Sequence, residues 1–274
     1  MPVTAYIPCC DNAATIAAAV DGIRRQTVPV DEFFVIDDGS SDGSTEILAS
    51  LGVRVIRHER ALGRGAVRAR ALEEAAHPLV LSSDATNRLA SDFLERSLHW
   101  FESEKVAAVF GRLRQSRQET AADRWRGRHL FKTSQDLPLN RRASLSTWGV
   151  VLRKSSVLAA GNFDPRLRHS EDADLGARLL ARGDEVVFDP SLDVAALNSN
   201  TLPQVLERYW RWYAGVNERM TLKGYMKQIV YSIKVMARED LQEGDPASAC
   251  VSLLSPHYQF WNSWFRRMRG VNQQ

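Results

Sequence analysis

Val35-Ile36-Asp37-Asp38-Gly39-Ser40 carries an apolar run straight into two carboxylates, a glycine and a hydroxyl. The run Glu32 to Ile36 reads as a strand, and the polar segment Asp37 to Ser44 as the loop at its end. Gly39, Ser40 and Gly43 leave room for a ligand to approach the backbone. Paired acids before Gly-Ser are also ordinary turn or helix-cap residues, so the segment needs its surroundings to be read. Upstream, Val3 to Ile7 is a short apolar run closed by Pro8, and Ala13 to Arg25 carries Ile16, Val20 and Ile23 at helical spacing. Downstream come a helix from about Thr45 to Ser50, a strand from Val53 to Ile56 and an Ala- and Arg-rich helix from Gly65 to Ala76. His77-Pro78 stops that helix before Leu79-Val80-Leu81, a strand running into Ser82-Ser83-Asp84. Strands alternating with helices imply a parallel sheet, and ligands of such sheets collect at the strands' C-terminal ends. The loops Pro8 to Asp11, Asp37 to Ser44 and Ser82 to Asn87 are therefore expected to converge on one crevice.

Further along, Asp92 to Glu104 reads as an amphipathic helix and Val106 to Phe110 as a strand. Arg112 to Arg142 is dense in arginine and too polar for a core, so it is expected to be a long mobile excursion. Ser146 to Arg153 and Glu185 to Phe188 read as strands, Gly161 to Pro165 as a turn, and Glu171 to Ala181 as a helix with acids at its N-terminus. After Pro190 the pattern turns helical. The expected organisation is one α/β domain over residues 1–200, a mostly parallel sheet flanked by helices, with a C-terminal helical extension over 201–274.

The chain has 274 residues, 44% hydrophobic and 25% charged, close to an average folded globular composition. A formal net charge of +3 is a mild bias, not the clustered excess of a nucleic-acid binder, and nucleic acid is not an expected partner. Cys9, Cys10 and Cys250 cannot make a disulfide framework or a zinc site of ordinary spacing, which makes a reducing cytosol the simplest compartment. The first residues lack the pattern of a signal peptide, and no apolar run approaches the roughly 20 residues of a spanning helix.

Four blocks in order, Ile7 to Asn12, Gln26 to Asp42, Gly63 to Arg68, and Gly161 to Asp164 with Glu171-Asp172, together resemble glycosyltransferase family 2, inverting nucleotide-diphospho-sugar transferases of the GT-A fold. Ile7-Pro8-Cys9-Cys10-Asp11-Asn12 is similar to the family's opening strand and turn, and Gln26-Thr27 through Asp31-Glu32 to Asp42 to its second strand. Gly63-Arg64-Gly65-Ala66-Val67-Arg68 resembles its Gly-rich basic turn, and Gly161-Asn162-Phe163-Asp164 followed by Glu171-Asp172 its last block. The resemblance spans about the first 190 residues.

It implies a nucleotide-diphosphate sugar as donor, a UDP-sugar by preference, and transfer of the sugar to a hydroxyl acceptor of unknown kind. Asp38, with Asp37 and Gly39 beside it, would accept a hydrogen bond from the nucleotide base, and Pro8 to Cys10 would line the same pocket. Arg64 and Arg68 would lie near base or phosphates, unless they form a solvated helix face. Ser82 to Asn87 falls where the family places Asp-x-Asp, which holds a divalent cation, Mn2+ or Mg2+, on the diphosphate. Here that motif reads Asp84-Ala85-Thr86. A neutral hydroxyl is a weaker ligand for a hard cation, so the metal binds less tightly, Asn87 or substrate phosphates complete the shell, or the metal is dispensed with. A degraded binding or scaffold protein is the alternative reading. By the same resemblance Asp172 would be the general base and Glu171 its positioning neighbour, while helix-start acids are the plainer account. Arg208-Tyr209-Trp210-Arg211-Trp212 is similar to a segment of the family's processive members, but reads better as an aromatic packing helix. The tail from Tyr258 to Arg269, mixing aromatics with arginines, is a candidate for peripheral contact with the cytoplasmic face of a membrane.

Overall fold

The fold is that of a computed structural model, which describes residues 1–214 and 220–268, without the side chains of 213–214 and 265–268. The chain forms two compact units, residues 1–114 with 136–198, and residues 115–135 with 199–274.

The first unit is built on an eight-stranded sheet. Its strands are β1 (Val3–Cys9), β2 (Glu32–Asp37), β3 (Arg54–Arg57), β4 (Leu79–Ser83), β5 (Asn87–Leu89), β6 (Val106–Gln115), β7 (Gly149–Arg153) and β8 (Glu185–Ala196), in the order β3-β2-β1-β4-β7-β6-β8-β5. Pairing is parallel through β3-β2-β1-β4, and antiparallel between β4 and β7, β7 and β6, and β8 and β5. The crossovers are α1 (Ile16–Arg24), α2 (Ser44–Ser50) and α3 (Arg64–Glu74), followed by α4 (Phe93–Leu98). Helix α1 buries Ile16, Ala19, Val20 and Ile23, the stripe expected from its spacing. Strand β1 is buried along nearly its whole length, as a strand in the middle of a sheet covered on both faces must be. The α/β architecture is as expected, but the sheet is mixed and not mostly parallel: parallel pairing is confined to β3-β2-β1-β4.

Two elements depart from the sequence reading. Strand β8 continues through Pro190 to Ala196, because Leu192, Val194 and Ala196 keep the alternation of a strand and residues 194–196 pair with the short β5. Helix α6 (Lys154–Ala159) follows β7 where no helix was expected, whereas α7 (Glu171–Ala181) forms over the expected residues.

The second unit is helical. It contains α5 (Ala121–Trp125) running into a π-type turn at Arg126–Leu130, α8 (Leu202–Ala214), α9 (Leu222–Tyr231), a π-type stretch at Ser232–Ala237 that continues into α10 (Arg238–Gln242), and α11 (Pro246–Met268). The stretch Arg112 to Arg142, expected to be a mobile excursion, is thus built into the fold in part: it begins as the end of β6 and is helical from Ala121 to Leu130. Trp125, Arg126, Leu130 and Phe131 are buried. Its arginines are tolerated because distant acids meet them: Arg124 forks onto Asp245 at 2.7 and 3.0 Å, and Arg128 pairs with the fully buried Asp240, which also accepts from His129 Nε2 at 2.8 Å. Trp125 donates its indole N–H to Ser252 Oγ at 2.8 Å and meets Tyr209 edge-on at 5.1 Å, so α8 is an aromatic packing helix. Among the described residues no helix is long and apolar enough to cross a membrane. Of the C-terminal tail, the side chains of Arg266 and Arg267 and all of Arg269 lie outside the described residues.

Candidate active site

The three polar loops do converge. Pro8, Cys9, Cys10, Asn12, Asp38, Arg64, Val67, Arg68, Asp84, Ala85 and Thr86 line a cleft of about 160 Å3 at the C-terminal ends of β1, β2 and β4. The first two loops are stitched by side chains. Asp11 N–H donates to Ser40 Oγ at 3.0 Å, Asn12 N–H to Ser44 Oγ at 2.9 Å, Ala13 N–H to Asp42 Oδ2 at 2.8 Å, and Ser41 N–H back to Asp11 Oδ1 at 2.8 Å.

Asp37 and Gly39 do not line the cleft; they hold the loop that does. The fully buried Asp37 accepts from Ser40 N–H at 2.9 Å and from Thr45 Oγ1 at 2.8 Å. Gly39 has φ of +77°, and a Cβ there would come within 3.0 Å of backbone at Arg60 and Ala61. Asp38 does line the cleft. Its Oδ1 accepts from Leu62 N–H at 2.9 Å and faces His58 Nδ1 at 2.8 Å, while Oδ2 accepts from Gly63 N–H at 2.9 Å. A carboxylate has about four acceptor positions, so one remains for a ligand donor after these three. His58 escaped the sequence reading, since nothing around a lone histidine just after β3 marks it as the partner of an acid 20 residues earlier.

Arg68 organises the rest. It is 1% exposed, not a solvated face. Its guanidinium donates to Glu171 Oε1 at 3.1 Å, to Ser82 Oγ at 3.1 Å, to Tyr6 Oη at 3.4 Å and to Asp84 Oδ1 at 2.7 Å. Burial alone would weaken the cation, but the Tyr6 oxygen, Asp84 and Glu171 outweigh it and push the guanidinium pKa up. Arg64, the first residue of α3, is exposed and lines the cleft. That helix end packs closely: Gly65 N–H donates to Leu167 O at 2.9 Å, and a Cβ on Gly65 would sit 2.1 Å from Asp164 O. The third and fourth sequence blocks are therefore in direct contact, although about a hundred residues separate them.

Glu171 is buried and committed to Arg68; Asp172, the next residue on α7, is partly open. Burial first, then the charge of Glu171, pushes Asp172 above the ordinary carboxylate pKa, against the pull of Arg68. Neither residue is among the cleft's lining, but Asp172 also feels the charge of Asp84. The two cysteines of the cleft are not poised as nucleophiles: burial pushes Cys9 up to about 11, and Cys10 is raised too, by burial and then by Asp11.

For a cation, Asp84 has one oxygen turned to Arg68 and Oδ2 left over, with Thr86 beside it in the lining. Asn87 donates to Trp148 O at 2.9 Å and is 4% exposed, which ties it into the fold. No group of three or more His, Cys, Asp or Glu able to hold an ion occurs among the described residues. These donors do not fit an all-protein cage. They fit an ion of the magnesium type, which keeps waters and takes one or two carboxylate oxygens plus substrate phosphates.

Comparison with known proteins agrees with this geometry. The family model described as Glycosyl transferase family 2 matches residues 4–163. Pre-mycofactocin glycosyltransferase of Mycobacterium tuberculosis (strain H37Rv) is 28% identical over 204 residues, 70% of this chain and 42% of that protein, so the chain spans less than half of that relative's length. Among solved structures, the mannosyltransferase PcManGT from Pyrobaculum calidifontis, in complex with GDP-Man and Mn2+, superposes with a TM-score of 0.63 at 14% identity, covering 98% of this chain and 88% of that one. TarS 1-349 of S. aureus in complex with UDP gives 0.57 at 17% identity, covering 100% and 93%. Likeness at such identities establishes the fold, and the family match covers more than half of the residues, from the first strand to Phe163. The chain belongs to glycosyl transferase family 2 and has the GT-A fold.

Proposed function

We propose that the chain transfers a sugar, with inversion, from a nucleotide-diphosphate donor, a UDP-sugar by preference, to a hydroxyl acceptor. The observation that carries the reading is the cleft that gathers Asp38 and Asp84 from two loops at the sheet's C-terminal edge and Arg64 from the N-terminus of α3. Asp38 offers its remaining acceptor position to an N–H of the base. Arg64 brings an exposed guanidinium to the N-terminus of α3, where charge and helix dipole both favour a diphosphate. Bound between Asp84 Oδ2, Thr86 and the donor, a divalent cation would neutralise charge building on the departing nucleoside diphosphate. Solved relatives bound to UDP and to GDP-Man with Mn2+ support the donor class.

Displacement with inversion needs a base on the acceptor side, and Asp172 is the candidate. Its raised pKa brings it closer to the operating pH of a general base than an ordinary aspartate. Glu171 and Arg68 hold the start of α7 and thereby orient it. Two acids, Asp84 and Glu171, paired with the buried Arg68, and Asp172 beside Glu171, favour a working site over a degraded scaffold. Replacing Asp172 by Asn should abolish transfer and leave donor binding near the wild-type value; turnover that survives the substitution removes Asp172 from the role of base. A screen of donor hydrolysis across nucleotide sugars identifies the sugar.

A further inference from the structure

The helix from Leu222 to Ala237 leaves an apolar stripe uncovered. Helix α9 buries none of its residues. Leu222, Met226, Val230 and Ile233 recur at helical spacing and are 69%, 52%, 48% and 53% exposed. Isolated exposed apolar residues are commonplace, but four in a line over roughly 17 Å of helix make a contiguous patch. Lys223, Lys227 and Lys234 are exposed on the same helix, and from 222 to 237 there is no Asp or Glu. The helix is anchored elsewhere on its circumference: Tyr225 stacks on Phe260 of α11 at 4.4 Å, and its hydroxyl meets His257 Nδ1 at 2.6 Å.

We propose that this face docks on an anionic phospholipid bilayer, lying in the plane of the interface with the stripe among the acyl chains and the lysines at the headgroups. Charge decides between occupants. A second copy meeting the stripe across a two-fold axis would set lysines against lysines with no acid in the stretch to compensate. A protein partner's pocket is usually filled by compact Trp, Tyr or Arg anchors, whereas an elongated row of Leu, Met, Val and Ile flanked by lysines matches an interfacial helix. Lysine stems can run along the apolar surface while their ammonium groups reach lipid phosphates. The stripe lies on the helix from Leu222 and not on the C-terminal tail it packs against, and the proposal stands independently of the sugar-transfer reading.

The test is co-sedimentation of the whole chain with phosphatidylcholine vesicles and with mixed phosphatidylcholine–phosphatidylglycerol vesicles, with the oligomeric state measured by analytical ultracentrifugation. The wild type should pellet with the mixed vesicles, more weakly with phosphatidylcholine alone and more weakly at high salt. Met226→Glu with Val230→Glu should lower partitioning by at least about tenfold. Lys223→Glu with Lys227→Glu and Lys234→Glu should erase the preference for phosphatidylglycerol. Melting curves establish that the variants fold, and the lysine set, on solvated side chains, keeps the test alive if the first pair unfolds. A wild type that stays in the supernatant overturns the proposal, as do variants that bind like wild type. Loss of a dimer, with no vesicle binding by any form, assigns the face to a second copy instead.

Discussion

Arg68→Met removes the buried cation shared by Tyr6, Ser82, Asp84 and Glu171 and leaves Glu171, 2% exposed, without the guanidinium it pairs with. Breaking a buried ion pair by deleting one partner costs about 3–5 kcal/mol, because the surviving charge stays desolvated. For a protein of this size a kilocalorie moves the melting temperature by roughly 2–4 °C, so the variant should melt about 6–20 °C lower. Asp84 adds less, since its side chain is 30% exposed and can turn to water. The second substitution separates charge from packing. Adding Glu171→Gln removes the orphaned carboxylate, and the double variant should regain more than half of the lost stability. Arg68→Lys should fall between, because one ammonium cannot span the fork that meets Glu171, Ser82 and Asp84 together. Scanning calorimetry and denaturant titration of the four proteins provide the readout. An Arg68→Met variant as stable as wild type, or a double variant no better than the single, refutes the view of Arg68 as the cation that neutralises this site.

Gly65→Ala should destabilise by about 1–3 kcal/mol or more and weaken UDP binding, since its Cβ meets backbone oxygens at 2.1 and 2.6 Å that have no flexible side chain to give way; equal melting temperatures would contradict the close packing. With Asp172 as base, the active form is deprotonated, so kcat/KM should fall as pH drops through its raised pKa, a limb lying above that of an ordinary carboxylate near 4; a rate flat across mildly acidic pH speaks against it. In the helical unit, Asp245 is depressed by its bonds to Arg124, and at Asp240 burial acts upward but is outweighed by bonds from His129, Ser252 and Arg128. Groups with depressed folded-state pKa contribute stability above the unfolded value of about 4 and lose it as pH falls towards the folded one, so melting should worsen progressively in acid, and Asp245→Asn should flatten that slope.

What was legible in the sequence was local. Strand, loop and helix repeat within about 30 residues from Val3 to Ser83, so periodicity places the parallel half of the sheet and the three loops that meet at its edge. What was not legible depends on partners far along the chain. The burial of Arg68 rests on Glu171, 103 residues away, and the order of the segment around Arg124 and Arg128 rests on Asp240 and Asp245, more than 110 residues away. Without those acids both stretches read as solvated. Pro190 looked like a strand end because proline lacks a donor, yet the alternation that follows it persists to Ala196. In the site, Asp37 and Asp38 are indistinguishable as a pair in sequence; only the fold sends one into the loop's interior and the other to the cleft.

The central claim is that the cleft between Asp38, Arg64 and Asp84 binds a nucleoside diphosphate. Calorimetric titration of UDP into the chain, with and without Mn2+, tests it most directly. Saturable binding that tightens with the metal, and that loses this metal dependence in Asp84→Ala, is the predicted result. No binding in either condition contradicts the account.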